Sequence, residues 1–122
     1  MSELQLEGME TIEEVHGVLL AAVRQRLPVA AVYDGLARLF CPHVIGWSKN
    51  GERRVFGYQY GGESKAGLRP GAGNWRCMSL ERFSRVEPLN DLWRTEPHAP
   101  QQCVARIEAD SDHPEIALIG VP

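Results

Sequence analysis

The sequence has no apolar run of the roughly 18 residues that a transmembrane helix needs. Its first residues carry neither the basic start nor the apolar stretch of a secretory signal peptide. Only three cysteines are present, Cys41, Cys77 and Cys103, and no two of them form a Cys-x-x-Cys pair. These absences predict a cytoplasmic protein without membrane contact, whose cysteines are reduced thiols buried as small hydrophobic side chains.

Composition and charge describe one ordinary globular domain with an uneven distribution of charge. The chain has 122 residues, of which 43% are hydrophobic and 24% are charged, so collagen-like, disordered and disulfide-rich classes are excluded. The net charge of −3 divides into −5 for residues 1–23, +6 for residues 24–94 and −4 for residues 95–122. A basic centre between acidic ends indicates either a body that binds anions or acidic ends that fold back on that body.

A helix is predicted after a loose lead-in of residues 1–10. Thr11 and Glu14 have the spacing of a capping box. Apolar residues then recur in steps of three and four on one helical face, and Pro28 ends the helix, which is predicted over residues 12–27. We expect its apolar stripe to cover one end or face of the remaining domain or to pack against a second copy, which would make the protein a homodimer.

Short β-prone segments separated by turn signals follow the helix. Asp34-Gly35 and Asn50-Gly51 are hairpin signals. The pattern predicts a mainly β, α+β domain with a small SH3/Sm-like barrel over residues 29–88. Residues 95–122 form an acidic extension, which begins with a proline-rich linker and ends in a predicted hairpin of strands 103–109 and 116–121. The predicted barrel strands cover residues 29–33, 36–47, 53–60, 75–79 and 83–88.

A glycine-rich loop is predicted over residues 61–74. It contains Lys65 and Arg69, which make it either an anion clamp or a solvated connection. It lacks the Gly-x-x-x-x-Gly-Lys-Ser/Thr motif of a P-loop. The chain also lacks the paired ligand spacing of a zinc site, so we expect no cofactor.

Several of these segments resemble the WYL domain of bacterial regulators. In that family a tyrosine ends one strand and a proline begins the next, as Tyr33 and Pro42 do here. A later family run of arginine, phenylalanine, leucine and arginine at alternate positions corresponds to Arg76, Met78, Leu80 and Arg82. The likeness is closer to small stand-alone WYL-like proteins, and it extends to Arg38, Pro42-His43, Tyr58-Gln59 and Trp75-Arg76.

This resemblance covers about half of the chain and departs from the family in two ways. The Trp-Tyr-Leu tripeptide is missing, and Arg54-Val55-Phe56 lies nearest to its place. Only 28 residues precede the predicted barrel, which is too few for the winged helix-turn-helix that usually precedes a WYL domain. DNA reading by a fused domain therefore does not carry over.

The resemblance implies an Sm-like barrel of about five strands and a ligand-sensing role without catalysis. WYL domains are thought to bind nucleic acid strands or nucleotide-like effectors through a basic face that bears aromatic residues. We therefore expect an anionic ligand, a nucleotide or single-stranded nucleic acid, with arginines at the phosphates and Tyr33 and Trp75 stacked on bases. The candidate ligand-binding residues are Tyr33, Arg38, His43, Lys65, Trp75, Arg76 and Arg82.

Other interpretations of the same residues stay open. The arginines are equally typical of a solvated barrel surface, and Trp75 is either a core residue or a stacking platform. Cys41 and His43 lack an evident orienting acid, so a structural or ligand-contacting histidine is favoured over a catalytic pair. A protein-interaction module that binds peptides in an aromatic groove is the alternative function.

Overall fold

The computed structural model describes residues 10–63 and 74–115, and within them one helix precedes six antiparallel strands. The prediction of a mainly β domain with an N-terminal helix is confirmed. No described helix is both long and apolar enough to span a bilayer. The elements are α1 (Ile12–Gln25), β1 (Val29–Tyr33), β2 (Leu36–Trp47), β3 (Arg53–Gly62), β4 (Trp75–Ser79), β5 (Phe83–Pro88) and β6 (Arg106–Asp110), with a 3₁₀ turn at Leu80–Arg82 between β4 and β5.

The predicted capping box opens α1. The Thr11 hydroxyl accepts a hydrogen bond from the Glu14 backbone N–H at 3.1 Å, and the Glu14 carboxylate accepts one from the Thr11 N–H at 2.9 Å. The helix ends at Gln25, two residues before the predicted end, because Arg26 adopts a left-handed conformation with φ 55°. The predicted apolar stripe lies against the sheet of the same chain, which is the first of the two expected arrangements.

The strands form one sheet in the order β4-β3-β2-β1-β5, and β6 also pairs with β2. β1 pairs with the first half of β2 and β6 with the second half, so the long strand β2 holds both parts together. The Tyr33 hydroxyl accepts a hydrogen bond from the Ser79 backbone N–H at 2.9 Å, which connects β1 to the end of β4. This order is compatible with an SH3/Sm-like barrel, but no pairing between β4 and β5 closes the sheet in the described residues.

The two faces of the sheet carry separate hydrophobic clusters, because alternate residues of a strand point to opposite faces. Phe40, Ile45 and Val55 belong to the main core together with the buried side of α1. Val44 and Phe56 lie on the outer face with Val104. The outer face therefore has its own cover, which comes from the C-terminal part of the chain.

Residues 89–105 cross this outer face without regular secondary structure, and we name them the cover segment. The Ala105 N–H donates to the Trp47 carbonyl at 2.8 Å, just before β6 begins. The predicted linker is therefore packed against the sheet, and the strand predicted over residues 103–109 is found at Arg106–Asp110. The strand predicted over residues 116–121 lies outside the described residues.

One prediction about the cysteines is wrong. Cys77 of β4 and Cys103 of the cover segment form a disulfide, with their Cα atoms 5.6 Å apart. Cys41 alone is free, and it is buried as predicted. The expectation of three reduced thiols fails because the cover segment brings two cysteines together that are 26 positions apart in the sequence.

Candidate ligand-binding site

The predicted site residues separate into two groups. Tyr33, Arg38 and Arg82 meet where β1, β2 and the 3₁₀ turn come together. The others, His43, Trp75 and Arg76, belong to β2 and β4, and His43 and Trp75 meet on the outer face. Lys65 lies outside the described residues, as does Arg69.

Tyr33 supports two guanidinium groups. Its ring is 5% exposed and packs against the ring of Phe83, with the centroids 4.7 Å apart. The Cζ atoms of Arg38 and Arg82 lie 5.1 and 5.2 Å from the Tyr33 ring centroid, within the range of cation–π attraction. Because Phe83, Arg38 and Arg82 surround the Tyr33 ring, no ring face is open for the predicted stacking of a base. The contribution of Tyr33 is to position the two arginines.

Arg38 is a buried cation with weak hydrogen bonding. It is 5% exposed, and its Nη1 and Nη2 donate to the Gln59 side-chain oxygen at 3.3 Å and the Tyr33 carbonyl at 3.4 Å. Its Nε has no partner, and no carboxylate among the described residues hydrogen bonds to it. Burial lowers the pKa of Arg38, an effect that the nearby Asp34 charge opposes. An unpaired buried charge is costly, so an added anion would be stabilising here.

Arg82 is held by a carboxylate that the sequence interpretation missed. Its Nε donates to Asp34 Oδ1 at 2.7 Å and its Nη2 donates to Asp34 Oδ2, which gives a bidentate pair. These hydrogen bonds raise the pKa of Arg82. The sequence predicts only a turn at Asp34-Gly35, and both residues have positive φ. The turn also positions the carboxylate that hydrogen bonds to Arg82.

A groove of about 390 Å³ lies on β1, β2 and β5, on the face of the sheet opposite the main core, and we name it the basic groove. Arg38 is among its lining residues, but the Arg38 guanidinium lies on the core side with Tyr33 and Gln59, because Arg38 pairs with the core residue Ala31. The groove has an apolar floor, and the exposed Arg85, which sequence reasoning missed, lies there beside the carboxylate of Glu87. The lining consists of Ala30, Ala31, Val32, Ala37, Arg38, Leu39, Gly62, Arg85 and Glu87.

His43 is the buried centre of the second group. It is 1% exposed, and its Nδ1 lies 2.8 Å from the Cys41 carbonyl, so Nδ1 carries the proton. Its Nε2 lies 3.0 Å from the Thr95 hydroxyl of the cover segment. Burial lowers the pKa of His43, which favours the neutral ring. The histidine therefore ties the cover segment to the sheet.

The geometry gives Cys41 no activating partner. Both ring nitrogens of His43 are engaged by other groups, and the Cys41 sulfur accepts a hydrogen bond from the Arg94 backbone N–H at 3.3 Å. Burial raises the pKa of the Cys41 thiol. This pair has neither the shared hydrogen bond nor the lowered thiol pKa of a cysteine nucleophile.

Trp75 lies half-buried in a cluster of rings on the outer face. Its ring stacks on Phe56 at a centroid distance of 4.8 Å and an interplanar angle of 10°. His98 of the cover segment approaches the same ring to 4.4 Å. Arg76, the next residue, donates to the Trp75 carbonyl at 3.3 Å. We name the aromatic cluster by its members, His43, Phe56, Tyr58, Trp75, Trp93 and His98.

A second pocket, of about 460 Å³, lies between the aromatic cluster and the cover segment, and we name it the aromatic pocket. Phe56, Trp75 and His98 line it together with the Cys77–Cys103 disulfide. Trp75 is therefore neither a core residue nor a free stacking platform but a wall of a partly covered pocket. Sequence reasoning missed the cover because nothing in residues 89–105 has the periodicity of a helix or strand.

The acidic ends do fold back on part of the basic centre. Glu13 pairs with Arg53 of the basic centre at 3.0 Å, whereas Glu108 of β6 lies 2.7 Å from His16 of α1 and so connects the two acidic ends with each other. Arg38 and Arg85 have no such carboxylate partner among the described residues. The interpretation that the acidic ends fold back on the body therefore applies to Arg53.

The described residues contain no group of three or more His, Cys, Asp or Glu side chains arranged to hold a metal ion. Comparison of the chain with models of known protein families, with curated proteins and with solved structures finds no match.

Proposed function

We propose that the protein is a WYL-like ligand-sensing module that binds an anionic ligand, a nucleotide or single-stranded nucleic acid, at the cluster of Tyr33, Arg38 and Arg82. The observation that carries this proposal is Arg38, a cation that is 5% exposed and that no carboxylate among the described residues hydrogen bonds. A phosphate beside Arg38 would supply the missing negative charge and form charge-assisted hydrogen bonds.

The surroundings of Arg38 support the same ligand class. Arg82 lies on the other side of the Tyr33 contact and is half exposed, so it can contact a second phosphate oxygen if Asp34 yields one hydrogen bond. Arg85 does not belong to this cluster, because it lies with Glu87 in the basic groove on the opposite face of the sheet.

Binding of a labelled oligothymidine and of labelled nucleotides, measured by fluorescence anisotropy, tests the proposal. We expect Arg38→Gln to weaken binding roughly 10- to 100-fold, because one charge-assisted contact is lost. Binding of the unaltered chain should weaken steeply between about 50 and 200 mM salt, since phosphate contacts release counterions.

Arg24→Gln is the matched control, because Arg24 is an exposed arginine of α1 that does not belong to the cluster of Tyr33, Arg38 and Arg82. It should leave the affinity within about twofold of the unaltered chain if local contacts dominate over net charge. An equal loss of affinity in the two variants, or binding that does not weaken as the salt concentration rises, would contradict a specific site at Arg38. Circular dichroism of both variants establishes that they are folded.

A second candidate function, recognition of a partner's peptide, is favoured by one observation. The cover segment carries Pro97 and Pro100, and Pro100 lines the aromatic pocket beside Trp75 and Phe56. Small barrels that recognise proline-rich peptides use such aromatic grooves. Binding of a synthetic proline-rich peptide that is abolished by Trp75→Leu, with no oligonucleotide binding, would favour this function over the first.

A further inference from the structure

The cover segment is held to the outer face by a small number of contacts. Near its start, the Arg94 N–H donates to the Cys41 sulfur at 3.3 Å and Thr95 meets His43 at 3.0 Å. Near its end, the Ala105 N–H donates to the Trp47 carbonyl at 2.8 Å. Between these points it contacts the sheet through the rings around His98, the disulfide of Cys103 and the buried side chain of Val104. The disulfide is the covalent anchor of this stretch.

That anchor is accessible and lies at the aromatic pocket. Cys77 is exposed, and it follows Trp75 by two residues on β4, so both side chains are on the outer face. Cys77 and Cys103 both line the aromatic pocket, together with Trp75 and Phe56. A reagent that breaks this bond thus acts on the wall of the pocket itself.

We propose that the Cys77–Cys103 disulfide is a redox modification site that controls access to the Trp75 ring, and that an unpaired nucleobase stacks there when the bond is open. The opening of the disulfide is independent of the proposed function. The binding of a nucleobase rests on the proposed function. The reductant is a dithiol. One of its thiolates attacks a sulfur of the bond to give a mixed disulfide, and its second thiolate displaces the remaining cysteine. Two electrons and two protons pass to the protein, which leaves two cysteine thiols and an oxidised cyclic dithiol.

The choice of a nucleobase follows from the rings that the cover segment now occupies. His98, a heteroaromatic ring, packs at 4.4 Å from the Trp75 ring centroid and 5.0 Å from that of Phe56, with interplanar angles of 58° and 67°. A base has the same flat heteroaromatic character and can replace it.

Hydrogen exchange measured by mass spectrometry tests the opening in the full chain. With dithiothreitol, amides of residues 96–105 should exchange roughly tenfold faster or more, because Val104 and Ala105 lose the anchor that holds their hydrogen bonds. Amides of β1 should keep their rates. Unchanged exchange in residues 96–105, or a rise throughout the chain, would overturn the proposal.

The double variant Cys77→Ser/Cys103→Ser removes the bond without a reductant. It should show the fast exchange at once and should not respond to dithiothreitol. If it responds like the unaltered chain, the effect of the reductant lies elsewhere and the proposal fails. Rapid alkylation of Cys77 by iodoacetamide in the untreated, air-oxidised protein would likewise refute the disulfide.

Oligothymidine binding, compared between the oxidised chain and the double variant, tests the nucleobase. One additional stacked base should raise affinity roughly 5- to 100-fold in the double variant, and Trp75→Leu in that background should remove the gain. Fast exchange without any gain in affinity overturns the nucleobase alone. If neither form binds the oligonucleotide, the proposed function fails while the redox opening stands.

Discussion

Gly46 of β2 offers a direct test of how β6 and the cover segment are docked. A Cβ atom at this position would lie 2.0 Å from the Arg106 carbonyl oxygen and 2.7 Å from Val104 Cγ1. The first of these neighbours is backbone and cannot rotate away, so Gly46→Ala must displace β6. We expect a loss of about 2–4 kcal/mol in the free energy of unfolding, which corresponds to a few ladder hydrogen bonds near Gly46 and the Ala105–Trp47 bond at about 1 kcal/mol each.

Urea denaturation measures this loss, and Gly17→Ala in α1 is the matched control. A Cβ at Gly17 meets nothing within 4 Å, so the same substitution should stabilise the helix by about 0.5–1 kcal/mol. Hydrogen exchange should show that the damage from Gly46→Ala is greatest in β6. A loss below about 0.5 kcal/mol for Gly46→Ala would refute the docking of β6 on β2.

Three other expectations concern proton uptake, the helix cap and the arginine cluster. Burial lowers the pKa of His43, so as the pH falls this side chain is protonated in the unfolded chain before it is protonated in the folded one. The stability due to His43 is complete above about pH 6.5 and falls by up to about 1.4 kcal/mol per pH unit below it, until the folded-state pKa is reached. His43→Gln should flatten this slope in urea unfolding between about pH 7 and pH 5, and an unchanged slope would contradict the assignment. Thr11→Ala should cost about 1 kcal/mol of thermal or urea stability because it removes the hydroxyl that caps the Glu14 N–H, and a neutral result would mean that the cap is unimportant. Asp34→Asn, which retains a residue tolerant of the positive φ, should release Arg82 and tighten oligonucleotide binding roughly fivefold, whereas weaker binding would count against Arg82 as a ligand contact.

The parts of the fold that the sequence predicts well are those with local physical causes. The capping box at Thr11 and Glu14 lies within one helical turn, and the turn at Asp34-Gly35 has the positive φ values that these residue types tolerate. Similarly, β1 and β5 begin and end at the predicted residues. Each of these signals operates over a few residues, so it can be recognised without knowledge of the rest of the chain.

The features that escaped prediction depend on contacts between distant segments. Cys77 and Cys103 meet only because the cover segment crosses β4, and no spacing rule relates them. Arg38 was expected at a solvated or ligand-facing surface, and its burial beside Tyr33 becomes visible only when β1 and β2 pair. The aromatic cluster contains His98 and Trp93 for the same reason, since both come from a segment without regular structure.

The shared use of β2 by β1 and β6 has a consequence for self-association. The second half of β2, Val44–Trp47, is paired on one side by β3 and on the other only by β6. Without β6 this stretch would be an unprotected edge with open N–H and C=O groups, the kind of edge on which chains join into larger aggregates. β6 comes from a segment about 60 positions later in the sequence, so this edge is protected only once that segment has docked on β2. Any change that loosens β6 therefore exposes an edge on which a second chain can pair.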